Sequence, residues 1–423
     1  MITMCNRPFL RNVLKLLSGR VIAQLIALLC APILTRLYTP EDFGILGLIA
    51  AISSFLALFA TFRFDLALVL PRENLNAWKL FCLACMTSLL VSTLLFFLLL
   101  LLGEKIEFFN RLNFYEQTFI WIPSFVLSLS LLSLAQHWAI RCKSFGIMSK
   151  ASIASSLFSN ICKISAGLFG FGALGLIFGT FLQQITQTLV LGFRLVKTIP
   201  LTEKKSEGYF DLAKRYRSFP LWRMPQDIMS SIAYNLPNFL LVTYYNANIV
   251  GFYLLAYRVA QAPTSFIKEG FQKVFYQKAT ELHNRGECFY YNVRNTTFVL
   301  VLICLPFLIF LILFGENLFV RVFGKEWLTA GTYSKYLGIL VSGFVANTPS
   351  VVALTVLEKN RELLTYELIR TGLQIIAFLF AVYYLNAESA IAIFSVVSAI
   401  ANFCLVFWVL IYLRKKHGIR KTS

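Results

Sequence analysis

Twelve stretches of mostly apolar residues follow one another along this chain, at approximately 16–36, 43–62, 80–102, 119–140, 151–170, 173–193, 220–244, 250–270, 297–315, 333–356, 363–385 and 390–413. About 20 such residues, wound as a helix, cross the hydrocarbon core of a bilayer. Backbone polar groups in that core must be satisfied within the protein, which favours helices. The expected fold is therefore all-α and membrane-integral, with twelve transmembrane helices. Composition agrees: 58% of residues are hydrophobic and 14% charged, against about 25% charged in soluble domains. The second, seventh, eighth and tenth stretches carry the polar residues expected of helices that line a cavity.

The formal charge of +19 is spread between the apolar runs and forms no groove-sized cluster, which argues against nucleic acid as a partner. When alternate loops are assigned to opposite sides, 30 Lys and Arg fall on one side and six on the other. The six are Arg36, Lys105, Arg111, Arg321, Lys325 and Lys335. By the positive-inside rule the richer side, with both termini, is cytoplasmic. The first apolar run continues to spanning length and lacks a small-residue cleavage site, so it reads as a span and not as a cleaved signal. The longest loop also lies on the cytoplasmic side. In it Tyr209, Leu212, Ala213, Tyr216 and Phe219 recur at helical spacing among Lys204, Lys205, Lys214, Arg215 and Arg217. That pattern predicts a basic amphipathic linker over 201–219 lying on the inner leaflet. It would join a six-helix bundle in 1–200 to a second in 220–423. The opposite loops are short and leave no room for a catalytic ectodomain, so no catalytic residues are expected.

The two bundles resemble each other. With no gap and an offset of 207, Leu34, Tyr38, Gly44 and Leu48 fall on Leu241, Tyr245, Gly251 and Leu255. Each set flanks a short turn between two apolar runs. Because six is even, both halves enter the membrane from the same side, and an axis along its normal can relate them.

Three cations remain inside spans: Arg20, Lys163 and Arg258. A charge there costs a few kcal/mol unless it faces water or a counter-ion. Opposing acids are few, since Asp65, Asp227 and Glu269 lie near span ends. A positive interior suits an anionic ligand such as a phosphate. The competing explanation is that these side chains snorkel or pair structurally.

Other motifs carry no chemistry. Gly170-Phe-Gly172-Ala-Leu-Gly175 matches a dinucleotide fingerprint by letter, but it falls at a turn between spans instead of inside a βαβ unit. Gly175 and Gly179 suit close helix packing. There is no P-loop. The nine cysteines lack framework spacing, and the Cys82/Cys85 pair has no second pair to complete a metal site. No metal or cofactor is called for. His137 reads as a satisfied interior histidine. Arg63 with Asp65, and Arg72 with Glu73, read as helix-end ion pairs. Pro32 and Pro237 imply kinks at similar places in the two halves.

Several segments together resemble the polysaccharide flippases of Wzx type. In the first half these are Arg20 through Gly44, with Leu34-Thr35-Arg36 and Pro40-Glu41-Asp42-Phe43-Gly44, and then Arg63-Phe-Asp65-Leu-Ala-Leu-Val-Leu-Pro71. In the second they are Tyr216-Arg-Ser-Phe-Pro220, Leu236-Pro237, Val250-Gly251-Phe-Tyr253, Ala256-Tyr-Arg258-Val and Gln272-Lys-Val-Phe275. Those flippases belong to the multidrug/oligosaccharidyl-lipid/polysaccharide exporter superfamily. The resemblance implies two six-helix bundles forming a V around a central cavity. It implies transfer of an undecaprenyl-diphosphate-linked oligosaccharide across a bacterial cytoplasmic membrane, by alternating access coupled to an ion gradient. Lipid-linked oligosaccharide and membrane lipids become the expected partners, with polysaccharide polymerase machinery as a further one. Functional cations of the first and eighth spans in relatives map onto Arg20 and Arg258; Lys163 is the weaker third candidate.

Three rivals are disfavoured. A multidrug cation extruder of the same superfamily would want a buried carboxylate where these spans offer cations. A lipid II flippase usually carries fourteen spans. A polysaccharide polymerase or ligase would need a substantial outer loop.

Overall fold

A computed structural model describes residues 7–71, 73–102, 120–195, 208–357 and 359–416. Lys105, Arg111, Lys204, Lys205 and the Arg72 of the expected ion pair lie outside them. Among the described residues there is no strand. The helices are α1 (Arg7–Leu37), α2 (Pro40–Ala60), α3 (Phe64–Ala67), α4 (Asn74–Leu102), α5 (Trp121–Arg141), α6 (Phe145–Leu168), α7 (Gly172–Leu195) and α8 (Tyr209–Arg215). After a π-helical turn at Phe219–Arg223 come α9 (Met224–Tyr244), α10 (Ala247–Asn284), α11 (Tyr290–Phe323), α12 (Leu328–Ala346), α13 (Thr348–Val356), α14 (Asn360–Tyr384) and α15 (Ala387–Lys416).

Each expected span coincides with a helix, the tenth with α12 and α13 together. Among the described residues, nine helical stretches are long and apolar enough to cross a membrane: in α1, α2, α4, α5, α7, α11, α12–α13, α14 and α15. The fifth, seventh and eighth expected spans, α6, α9 and α10, fall outside that set because they are more polar. In α6 the polarity lies in the packing seams. Ser156 Oγ donates to the Ala23 carbonyl of α1 (2.9 Å) and Ser159 Oγ to the Gly179 carbonyl of α7 (2.8 Å). Hydroxyls bonded to a neighbouring helix backbone are compatible with a lipid surround.

The chain divides into two compact units, Met1–Val250 and Gly251–Ser423. In the first, α1 packs on α6 and α6 on α7, while α2 touches α4, α5, α7 and α9. In the second, α12 packs on both α11 and α15, and α15 on α14. The pairs α4–α5, α5–α7 and α6–α7 of the first unit thus correspond to α11–α12, α12–α15 and α14–α15 of the second.

The sequence repeat has a structural counterpart. The α1–α2 turn occupies Tyr38–Thr39 and the α9–α10 turn Tyr245–Asn246, again offset by 207. Leu34, Tyr38, Gly44 and Leu48 are buried, as are Leu241, Gly251 and Leu255, with Tyr245 half-buried. The repeated letters are the packed ones. A capping box starts α2: Thr39 Oγ1 accepts from the Asp42 amide, and Asp42 accepts from the Thr39 amide (2.8 Å). In α10 the Asn246 side chain accepts from the Ile249 amide (3.0 Å). Both devices satisfy amides that a helix start leaves open.

The linker helix differs from its expected setting. Only seven residues, Tyr209–Arg215, form α8. Leu212 is buried, and Ala213, Tyr216 and Phe219 pack against a core of Phe64, Leu68, Leu80 and Leu134. The periodic apolar face, apart from exposed Tyr209, thus meets the protein. Phe210 and Trp222, outside that periodicity, are about four-fifths exposed.

Candidate functional site

Arg20 and Lys163 are positioned by one helix pair, α1 and α6. Beside exposed Arg20, Gly19 lets α1 approach α6 so closely that an added Cβ would lie 2.5 Å from the Ser149 Cα. Lys163 is half-buried, and two glycines of α7 make room around it. A Cβ at Gly179 would come 2.4 Å from the Lys163 Cγ, and one at Gly175 would come 2.5 Å from the Tyr38 hydroxyl. That hydroxyl donates to the Lys163 carbonyl (2.6 Å), tying the α1–α2 turn to α6. Burial, with the Asp42 carboxylate adding to it, pushes the Tyr38 phenol up to about 12, so it remains a donor at any physiological pH. Gly19 meets Ser149, fourteen residues before Lys163 on α6, or about 21 Å along that helix. The two cations share a helix pair at different depths.

Arg258 lies in the second unit, exposed on α10. Its neighbour Tyr257 stacks on Tyr253 one turn earlier, with ring centroids 6.0 Å apart, and Gln261 Nε2 donates to the Tyr257 hydroxyl (3.4 Å). Arg258 thus follows directly in sequence on a polar, aromatic stripe of α10.

The acids are placed otherwise. Asp65 is fully buried. It accepts from Ser133 Oγ (2.5 Å) and Thr61 Oγ1 (3.4 Å), and Arg63 Nη1 lies 3.6 Å away. His137 lies 3.8 Å from the same carboxylate, with Nδ1 2.9 Å from the Ser133 carbonyl. Arg63 makes its shorter bonds to Asp227 of α9, through Nη2 (2.6 Å) and Nε (2.7 Å). Phe62 and Arg63 both adopt left-handed backbone (φ 45° and 58°), which stops α2 and turns Arg63 toward α9. Sequence reasoning found the Arg63–Asp65 pair and missed Asp227, which lies 164 residues from Arg63.

A groove of about 630 Å³ lies among α5, α6 and α7, lined by Trp121, Ile161, Phe169, Phe171, Leu174 and Phe178 with smaller residues. Among the described residues its lining holds no charged side chain, which suits hydrocarbon better than phosphate. At its edge Gly170 (φ 75°) and Gly172 (φ 50°) make the tight α6–α7 turn, the structural use of the glycine motif.

A family model described as polysaccharide biosynthesis protein matches residues 33–332. No curated protein sequence matches the chain. Among solved structures, the lipid II flippase MurJ in an inward closed conformation is similar, with a TM-score of 0.68 and 14% identity over 96% of this chain and 87% of that one. A point mutant of the Vibrio cholerae MATE transporter VcmN gives a TM-score of 0.59 at 13% identity, over 96% of each chain. An inward-facing multidrug resistance MATE family transporter of the MOP superfamily gives 0.57 at 13% identity, again over 96% of each. At such identities the likeness is one of fold. It is the fold of the superfamily that the sequence motifs resemble.

Proposed function

Since the chain belongs to the polysaccharide biosynthesis protein family, we propose that it is a flippase for a lipid-linked oligosaccharide. The substrate class is an undecaprenyl-diphosphate-linked repeat unit, crossing a bacterial cytoplasmic membrane by alternating access coupled to an ion gradient. Both termini lie in the cytoplasm on the charge asymmetry of the loops. Arg258, Arg20 and Lys163 bind the diphosphate, and the lipid tail stays in the bilayer. Membrane lipids and polysaccharide polymerase machinery are its partners.

The supporting observation is the sign of the charge that these helices expose. Arg258 and Arg20 are exposed cations on long helices, whereas the buried carboxylate Asp65 is occupied by Arg63, Ser133 and Thr61. A carboxylate so engaged is a poor ligand for an organic cation, which disfavours the multidrug reading. A site for a diphosphate needs forked, always-charged donors, which arginine supplies.

Reconstitution tests this. Liposomes holding the purified protein and a polyprenyl-diphosphate-linked sugar are given an ion gradient, and sugar reaching the opposite leaflet is read with an impermeant lectin. Protein-dependent transfer of that lipid, without extrusion of a cationic dye, is expected. Dye extrusion with no lipid transfer would refute the proposal, and transfer confined to lipid II would redirect it to the peptidoglycan precursor.

A further inference from the structure

The second unit contains a further cation, Arg370, within the expected stretch 363–385. Arg370 sits nine residues past Arg361, where a spanning stretch of α14 begins. That is about 13 Å along the helix. Its side chain is 15% exposed. An ionisable group at such a position is costly unless it meets a partner or a wet cavity.

Its surroundings are specific. Tyr366, Arg370 and Gln374 form one stripe of α14 at four-residue spacing. The outer two are satisfied by α15: the Tyr366 hydroxyl donates to Asn402 Oδ1 (3.2 Å), and Gln374 Nε2 donates to Ser398 Oγ (2.7 Å). Asn402 Oδ1 also accepts from Asn347 (2.9 Å), at the break between α12 and α13. The middle residue is treated differently. Arg370 Nη2 lies 2.5 Å from Glu367 on its own helix, but its Nε is sealed from solvent with no acceptor among the described residues. A buried donor left so is destabilising.

The guanidinium lies over the Phe344 ring, 5.3 Å from its centroid, and 5.9 Å from that of Tyr366. From α10, Lys268 Nζ reaches the same Phe344 ring at 5.9 Å. Two cations from different helices thus converge on one phenylalanine of α12. Stacking on a ring leaves the in-plane donors of a guanidinium free to grip a planar or tetrahedral anion. The ring carries the fork, and the Lys268 ammonium adds a second positive charge beside it.

We propose that Lys268 and Arg370, seated on Phe344, form a binding site for phosphoryl oxygens within the second unit. It is separate from Arg258 in sequence, and Arg370 and Phe344 belong to other helices. The proposal rests on the chain being a carrier of a diphosphate lipid, and it assigns that diphosphate a second station. Arg370 contributes the fork and Lys268 the point charge.

The test measures binding to the purified full-length chain in detergent, with farnesyl diphosphate, farnesol, inorganic pyrophosphate and phosphatidylglycerol as probes. Farnesyl diphosphate should bind the wild type. Its affinity should fall at least about tenfold in Lys268→Gln and in Arg370→Gln, as expected for loss of a charge-assisted bond. Arg370→Lys should lie between, and Phe344→Leu should weaken binding while keeping both charges. Farnesol should bind all variants alike. Pyrophosphate binding as tightly as farnesyl diphosphate would assign the site to a soluble anion, and equal competition by phosphatidylglycerol to a bilayer headgroup; both keep the phosphoryl site. Unchanged farnesyl diphosphate affinity in Lys268→Gln and Arg370→Gln, with loss in Arg258→Gln, would overturn this site and leave the flippase reading intact. A wild type that binds no diphosphate would overturn both. Thermal unfolding midpoints matching the wild type show that the variants are folded.

Discussion

Arg63 and Asp227 meet at 2.6 Å, joining the end of α2 to the start of α9 across 164 residues of chain. Arg223, one turn before Asp227, also reaches it at 3.2 Å. Both partners of the main pair are largely removed from solvent, so a lone charge left behind is poorly compensated. Arg63→Asp and Asp227→Arg should each lower the thermal midpoint of the detergent-purified protein and reduce transport. The double reversal should recover much of both. A double variant no better than the worse single one would show that the pair contributes position only through other contacts.

Gly44 brings the backbone of α2 close to the start of α10. A Cβ there would lie 1.9 Å from the Ala247 carbonyl oxygen. Backbone cannot yield as a flexible side chain does, so Gly44→Ala should destabilise by more than about 2 kcal/mol, in the range of core overpacking. Gly146→Ala, where an added Cβ meets nothing within 4 Å, should be neutral or slightly stabilising. Thermal unfolding of both variants in one detergent decides it.

Arg258→Ala should abolish surface polysaccharide in cells that depend on this chain, with the protein still inserted at wild-type level. Arg258→Lys should retain part of the activity, because a point charge replaces a fork. Wild-type polysaccharide in the alanine variant would remove Arg258 from the site.

The exposed Phe210 and Trp222 predict where the linker meets lipid. Trp222 stands beside exposed Arg223 and follows the exposed Arg217, a combination suited to an anionic headgroup layer. In a variant retaining Trp222 as its sole tryptophan, brominated lipids should quench its fluorescence strongly. Charge removal at Lys214, Arg215 and Arg217 should weaken that quenching in anionic vesicles. Quenching no greater than for a water-exposed tryptophan would place this face in solvent.

Much of the fold was legible because lipid simplifies the code: length and apolarity mark helices, and loop charge marks sides. The 207-residue offset was legible too, since Leu34, Gly44 and Leu48 and their counterparts are packing positions that composition alone would not align. The linker's burial was not legible. Periodicity shows that Leu212, Tyr216 and Phe219 share a face, but it does not distinguish a bilayer from a protein core as the surface that covers them. Arg370 was passed over for a related reason. It lies near the cytoplasmic end of the stretch 363–385, where a cation reads as a loop charge, and only tertiary packing brings Phe344 and Lys268 to it. The link between Arg63 and Asp227 depends on tertiary packing between distant helix ends, where the sequence carries no pairing signal.

The break at Asn347 separates two helices that together make one crossing. In an unbroken helix every carbonyl is committed to an amide four residues on, so bending costs several bonds at once. Here side chains of α14 and α15 already hold the discontinuity through Asn402, and Pro349 follows on the far side. The Asn347 amide still bonds the Gly343 carbonyl and the Val351 amide the Asn347 carbonyl, but Pro349 brings no amide, so the ladder is thinnest at this joint. Phe344, one turn before it, would shift against the cations of α10 and α14 in any bend there, turning a backbone movement into a change in what those two charges rest on.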